Sequence, residues 1–234
     1  MQENDLRPTS RRHFLSAVAA GTAAFSLTTL ATPLSAGAKT LSNNLNHTTD
    51  DPDQWFNQIQ GKHRMVFDVT EPHDMLPFAW SRVFLLTNAG TGTAEKDNSV
   101  VVILRHEAIP FAMQDQLWAK YKFGEMFKIQ DPATKAASVR NPFWKPKPGD
   151  FKVPGIGPVA IGINELQDSG VLFCVCNMAM TVYSAVAAQN MNKEAADIKK
   201  EWEAGVLPGI QIVPSGVWAV GRAQEHGCAY CFAG

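Results

Sequence analysis

Thiols are the most chemically capable side chains in this sequence, and there are four: Cys174, Cys176, Cys228 and Cys231. They form two close pairs, Cys174-x-Cys176 and Cys228-x-x-Cys231. Three chemistries suit that pattern. In the first, a single thiolate acts as nucleophile, and Cys176 is the one placed for it. His106 then serves as base or charge partner, and Cys228 or Cys231 resolves a mixed disulfide. In the second, Cys174, Cys176, Cys228 and Cys231 together hold zinc or an iron–sulfur cluster, although the spacing falls short of a paired Cys-x-x-Cys framework. In the third, the thiols are structural and the protein is a non-catalytic binding or partner subunit. A Cys228–Cys231 bridge fits in a turn, whereas a Cys174–Cys176 bridge needs a bent strand.

The elements that must position these groups are legible from periodicity. Residues 171–176 are a continuous apolar run between Gly170 and Asn177, the pattern of a strand covered on both faces. Alternation predicts that Cys174 and Cys176 share one face. A helix follows at once, so Cys176 stands at a strand's carboxyl end and a helix's amino end, where the helix dipole favours a thiolate. Ligands of open α/β sheets collect at such ends.

Other strands are expected at residues 64–69, 100–104 and 210–213, with a short last strand or tail at 228–232. Asp68 interrupts the first, as a turn or cap residue or as a group approaching the site. The second ends in Arg105-His106-Glu107, polar residues at the same kind of position. Helices are expected from Leu76 to about Thr87, from Pro110 through Tyr121, around Val159, Ile163 and Leu166, from an Asn192 N-cap to Glu203, and from Pro214-Ser215 to His226-Gly227. Residues 123–158 hold six prolines and read as an excursion, in which Phe143 and Trp144 either pack or cover the site. The alternation of strands and helices predicts an α/β fold, a three-layer α/β/α sandwich with a mainly parallel sheet.

Composition narrows the partners. A net charge of −1 with 18% charged residues gives no basic excess, so nucleic acid is not expected. At the amino end, Ser10-Arg11-Arg12-His13-Phe14-Leu15 precedes a weakly apolar stretch and a small-residue site at Ala36-Gly37-Ala38. That order predicts a twin-arginine export signal over residues 1–38, a mature chain starting near Lys39, and a periplasmic address. The apolar stretch is too short and too rich in Ala, Gly and Thr for an integral membrane protein. Residues 39–61 read as a polar linker containing a solvated His47, and 62–234 as the domain.

Three motifs together resemble the DsrE/DsrF-like superfamily: Val175-Cys176-Asn177, Leu207-Pro208-Gly209 and Val213-Pro214-Ser215-Gly216. The resemblance runs from about Lys62 to Gly234 and is densest in the last third. It implies an α/β/α fold, a possible homo-oligomer, and a thiol-based sulfur or redox relay in which Cys176 carries sulfur as a persulfide. Small sulfur species or a thiol-carrying protein would be the partners, and Cys228 or Cys231 could also resolve the persulfide. Only Cys176 corresponds to the family position. The export signal, the excursion and the Cys228/Cys231 pair depart from the family's characterised sulfur carriers, which are cytoplasmic.

Overall fold

The computed structural model describes residues 51–234. The expected export signal and cleavage site, and His47, lie outside the described residues. Five strands form one parallel sheet: β1 (His63–Val69), β2 (Asn98–Leu104), β5 (Leu172–Cys176), β6 (Ile210–Val213) and β7 (Ala229–Phe232). Their order is β6-β5-β2-β1-β7. Every pairing in this sheet is parallel. A two-stranded hairpin, β3 (Lys152–Val153) and β4 (Gly157–Pro158), belongs to the excursion.

The chain steps β1, β2, β5, β6 in one direction and then returns across the sheet to place β7 outside β1. Right-handed crossovers therefore put the last connecting helix on the face opposite the earlier ones. The core divides accordingly. On one face, α8 (Gly216–Glu225) lays Ala219 and Ala223 on Val66, Val101, Ile103, Cys174 and Val213. The other face carries α2 (Leu76–Gly90), α5 (Ile163–Asp168), α6 (Asn177–Met191) and α7 (Ala195–Ala204) over Phe67, Val102, Phe173 and Val175. The molecule is a three-layer α/β/α sandwich. All seven residues of β2 are buried, because the strand is central and covered on both sides.

Several local expectations are corrected. The stretch ending at residue 61 is not all linker: α1 (Pro52–Trp55) leads into a 3₁₀ turn whose Phe56 is fully buried on the α8 face beside Ile59. Two apolar residues in a polar segment are enough to dock it. Pro110 does not start a helix but lies within a 3₁₀ segment, His106–Ala112, and α3 begins at Asp115 and ends at Tyr121. Val159 precedes α5, which starts at Ile163. Asn192 does not begin α7. It ends α6 in the left-handed conformation at φ 51°, a role Asn fills because its side chain tolerates that region. The N-cap of α7 is Glu194.

The excursion is packed, not draped. It opens with α4 (Phe123–Met126). Phe143 stacks on Phe78 of α2 at 4.2 Å between ring centroids and on Phe151 at 4.7 Å, and meets Phe111 edge-on at 5.3 Å. Phe143 is thus an anchor of the core, holding the proline-rich segment to the α2 face. No helix among the described residues is long and apolar enough to cross a membrane.

Candidate functional site

Cys176 is the last residue of β5 and the N-cap of the 15-residue helix α6. Its Sγ accepts a hydrogen bond from the Ala179 N–H at 3.2 Å. That satisfies one of the orphan donors of the helix's first turn and places sulfur where a negative charge is favoured. The residue is 6% exposed. Cys174 packs in the α8-side core and Cys176 groups with the core beneath α6, while the two thiols stay close enough along β5 to interact electrostatically.

The strand order makes this position distinctive. β5 leads into α6 on one face, and the adjacent β6 leads into α8 on the other. A crevice must open where neighbouring connections diverge, which is the switch point of the sheet. The two loops are tied by a Met178 N–H donating to the Pro214 carbonyl at 3.3 Å. Ser215 caps α8 by accepting from the Trp218 N–H at 3.2 Å. Two helices therefore begin side by side at the carboxyl edge of the sheet.

Arg105 supplies the positive charge. Leu104 of β2 pairs with Val175 of β5, so Arg105 follows alongside Cys176. Its guanidinium grips Asp68 at two points, Nε to Oδ1 at 2.6 Å and Nη2 to Oδ2 at 2.9 Å. Tyr230 of β7 donates its hydroxyl to the same Oδ2 at 2.9 Å. Asp68 is 2% exposed, and a carboxylate so buried needs these partners. The hydrogen bond to Asp68 is the main cause that holds the Arg105 pKa above its ordinary value, against burial, which lowers it; nearby Cys176 is the least of the causes. The Tyr230 hydroxyl is raised in turn, first by burial and then by its bond to Asp68.

Room for Arg105 comes from Gly216, the first residue of α8. A Cβ there would stand 2.5 Å from Arg105 Cβ and 2.6 Å from its Cδ. The glycine in the Val213-Pro214-Ser215-Gly216 motif thus lets an arginine pass beneath the helix's first turn. Asp68, Arg105 and Tyr230 line a shallow depression with Val217, Val220 and Gln224. Asn177 Oδ1, in the residue after the thiol, is buried without a hydrogen-bond partner among the described residues.

The other predicted site residues disperse. His106 reaches the same edge of the sheet, but its Nε2 lies 3.3 Å from the Tyr183 hydroxyl on α6, and this is its partner among the described hydrogen bonds. Cys174 is wholly buried, and burial pushes its thiol far up. Cys228 precedes β7 near Arg64, at the opposite end of the sheet, and burial raises it to about 11. Cys231 pairs in register with Phe67, below the level of Cys176. Its strand is separated from β5 by β2 and β1, three spacings of about 4.8 Å each. A disulfide needs Cα atoms within about 7 Å, so neither resolving partner nor four-thiolate metal set is assembled. No cluster of three or more metal-capable side chains occurs among the described residues. All four cysteines are free thiols.

Tyr230 escaped sequence reasoning, since a tyrosine in a short edge strand looks like surface. The available signal was Asp68, a carboxylate inside an apolar strand that must find donors somewhere.

No protein-family model matches the sequence, and no curated protein does. A solved structure of a protein of unknown function from Methanobacterium thermoautotrophicum is similar at 16% identity, covering 73% of this chain and 99% of that one, with a TM-score of 0.38. That likeness carries no argument about function, and the fold assignment stands on the sheet itself.

Proposed function

We propose that this protein is an exported, DsrE-like thiol relay in which Cys176 accepts and passes on a sulfane sulfur. The single observation that carries the reading is the placement of Cys176: a sulfur that caps α6 at a switch point, with Arg105 just past the end of the neighbouring strand. Both features favour the anionic sulfur of a thiolate or a persulfide.

The chemistry balances without an added oxidant. The Cys176 thiolate attacks the outer sulfur of a donor persulfide, R–S–SH. The Cys176 Sγ–S bond forms, the donor S–S bond breaks, and the donor leaves as R–S⁻ with the bonding pair. The proton stays on the transferred sulfur. An acceptor thiolate repeats the exchange in the opposite sense. Arg105 stabilises the sulfur anion at each stage. Asp68 and Tyr230 act through Arg105 and are positioning residues.

The test is incubation of the mature protein with a small persulfide donor, followed by intact-mass analysis. A gain of one sulfur on the native chain that is absent from Cys176→Ser supports the relay. A native chain that gains none removes it. Fractionation of the expressing cells tests the address: mature protein in the periplasm, lost on changing Arg11 and Arg12 to Lys, is the expected result.

A further inference from the structure

β7 is an edge strand, with β1 on one side and no described strand on the other. Ala229, Tyr230 and Phe232 are exposed, the last two at 46% and 55%. The strand holds neither a charge nor a proline, common guards of an open edge. The opposite edge differs, since α1 packs against β6. We infer that β7 pairs antiparallel with β7 of a second copy, joining the two sheets about a two-fold axis centred on Cys231. The inference does not rest on the thiol relay.

The main chain fixes the register. The Ala233 N–H donates to the Asp68 carbonyl of β1 at 2.9 Å. Main-chain groups alternate sides along a strand, so those of Cys231 also turn to β1 and those of Tyr230 and Phe232 turn outward. A two-fold axis on Cys231 sets Tyr230 of each copy opposite Phe232 of the other, and both outward residues then exchange hydrogen bonds. A register centred on Tyr230 would draw in Cys228, whose N–H is already held by the Ala223 carbonyl at 3.0 Å. One centred on Phe232 would draw in Gly234, which lies beyond the strand.

The side chains agree. Register with β1 puts Tyr230 and Phe232 on the α8 face with Val66 and Asp68, and Cys231 on the α2 face with Phe67. Pairing therefore sets Tyr230 against Phe232 twice on one face, a favourable cross-strand pair. The second copy's Phe232 comes to the lip of the depression lined by Asp68, Arg105 and Tyr230. Charge does not oppose the approach, because Arg105 answers Asp68 there. On the other face the two Cys231 residues meet as a non-hydrogen-bonded pair, with Cα atoms about 4.5 Å apart and within the reach of a disulfide. The joined area is small. At about 200 Å² per side chain, the exposed parts of the four aromatic residues amount to about 400 Å², short of the roughly 1,200 Å² of a stable complex. The pairing is therefore reversible, and a bond between the two Cys231 sulfurs locks it.

The test is oxidation of the whole protein by diamide, which takes two electrons and two protons from a thiol pair and is itself reduced to a hydrazine. Non-reducing electrophoresis and peptide mapping read the products. The expected result is a dimer reversed by dithiothreitol, linked Cys231 to Cys231 and absent from Cys231→Ser. Sedimentation of the reduced protein should show mass rising with concentration. Phe232→Lys puts a charge on the edge, so it should stay monomeric and cross-link at least about fivefold more slowly. Ala229→Cys in the Cys231→Ser background separates register from chance collision. Ala229 is more exposed than Cys231, but in this register the two copies of residue 229 lie about 14 Å apart. Cross-linking through that position should be at least about tenfold weaker than through Cys231. No Cys231-linked dimer, equal cross-linking through residue 229, or an undiminished dimer in the folded Phe232→Lys protein overturns the inference.

Discussion

Arg105 holds Asp68 at both carboxylate oxygens, across 37 residues of sequence, from neighbouring positions at the carboxyl edge of two parallel strands. The pair fixes the Arg105 guanidinium beside the end of β5, with its charge largely offset by Asp68. It distinguishes the surroundings of Cys176 from those of an ordinary core cysteine.

Replacing Arg105 by Gln leaves Asp68 buried with only Tyr230 to satisfy it. Breaking a fully buried ion pair costs about 3–5 kcal/mol, and the partial exposure of Arg105 lowers the expectation to about 2–4 kcal/mol. Urea unfolding measures the loss. Adding Asp68→Asn should restore part of it, and no recovery would mean the pair is not the cause. The same Arg105→Gln protein should take up less sulfur on Cys176 from the persulfide donor, followed by intact-mass analysis.

The distance between β5 and β7 predicts independence of the thiols. Cys231→Ser and Cys228→Ser should leave sulfur loading on Cys176 unchanged within error, and the native protein should yield no Cys176–Cys231 disulfide on mild oxidation. A Cys176–Cys231 bridged peptide in the digest would contradict the strand order.

Gly216→Ala brings a methyl group against Arg105 at 2.5 Å. The first turn of α8 or the arginine must move, at a cost of about 1–3 kcal/mol. Thermal unfolding should show the lower stability, and sulfur loading on Cys176 should fall toward that of Arg105→Gln. Unchanged loading and stability would show that Arg105 is free of the helix.

Alkaline stability should fall in a defined window. Burial raises the folded-state pKa of Cys228 to about 11 and raises Cys174 further. A raised acid keeps its proton in the folded state while the unfolded chain loses it. Stability is therefore fully present below the unfolded thiol value of about 8.5 and is lost as pH rises toward and through 11. Denaturant midpoints from pH 8 to 11 should decline, and Cys228→Ala should flatten the decline. At pH 8 the raised Cys228 thiol should stay protonated and resist alkylation in the native protein.

Phe143→Ala removes the ring that clamps the excursion to Phe78, Phe111 and Phe151. Loss of a buried aromatic costs about 3–5 kcal/mol. Hydrogen exchange should show residues 128–153 opening before the sheet does. Uniform loss of protection would mean that the excursion does not unfold as a separate unit.

What the sequence determined by itself is local. Apolar runs such as Val100 to Leu104 demand burial on both faces, and their alternation with helical periods leaves few arrangements other than a covered parallel sheet. The run into Cys176 followed by helix-forming residues likewise placed that thiol at a strand end and a helix cap. The order of the strands was not written there, because a parallel crossover can return to either edge with the same local pattern. Only the tertiary structure decided that β7 pairs with β1, and that choice separates Cys231 from Cys176 while bringing Tyr230, 162 residues away in sequence, onto Asp68. It also decided the partner of Arg105, since a long charged side chain finds its carboxylate through neighbours assembled by the sheet. The excursion shows the same division: its prolines marked it as irregular, but the stacking of Phe143 arises from contacts that no spacing along the chain encodes.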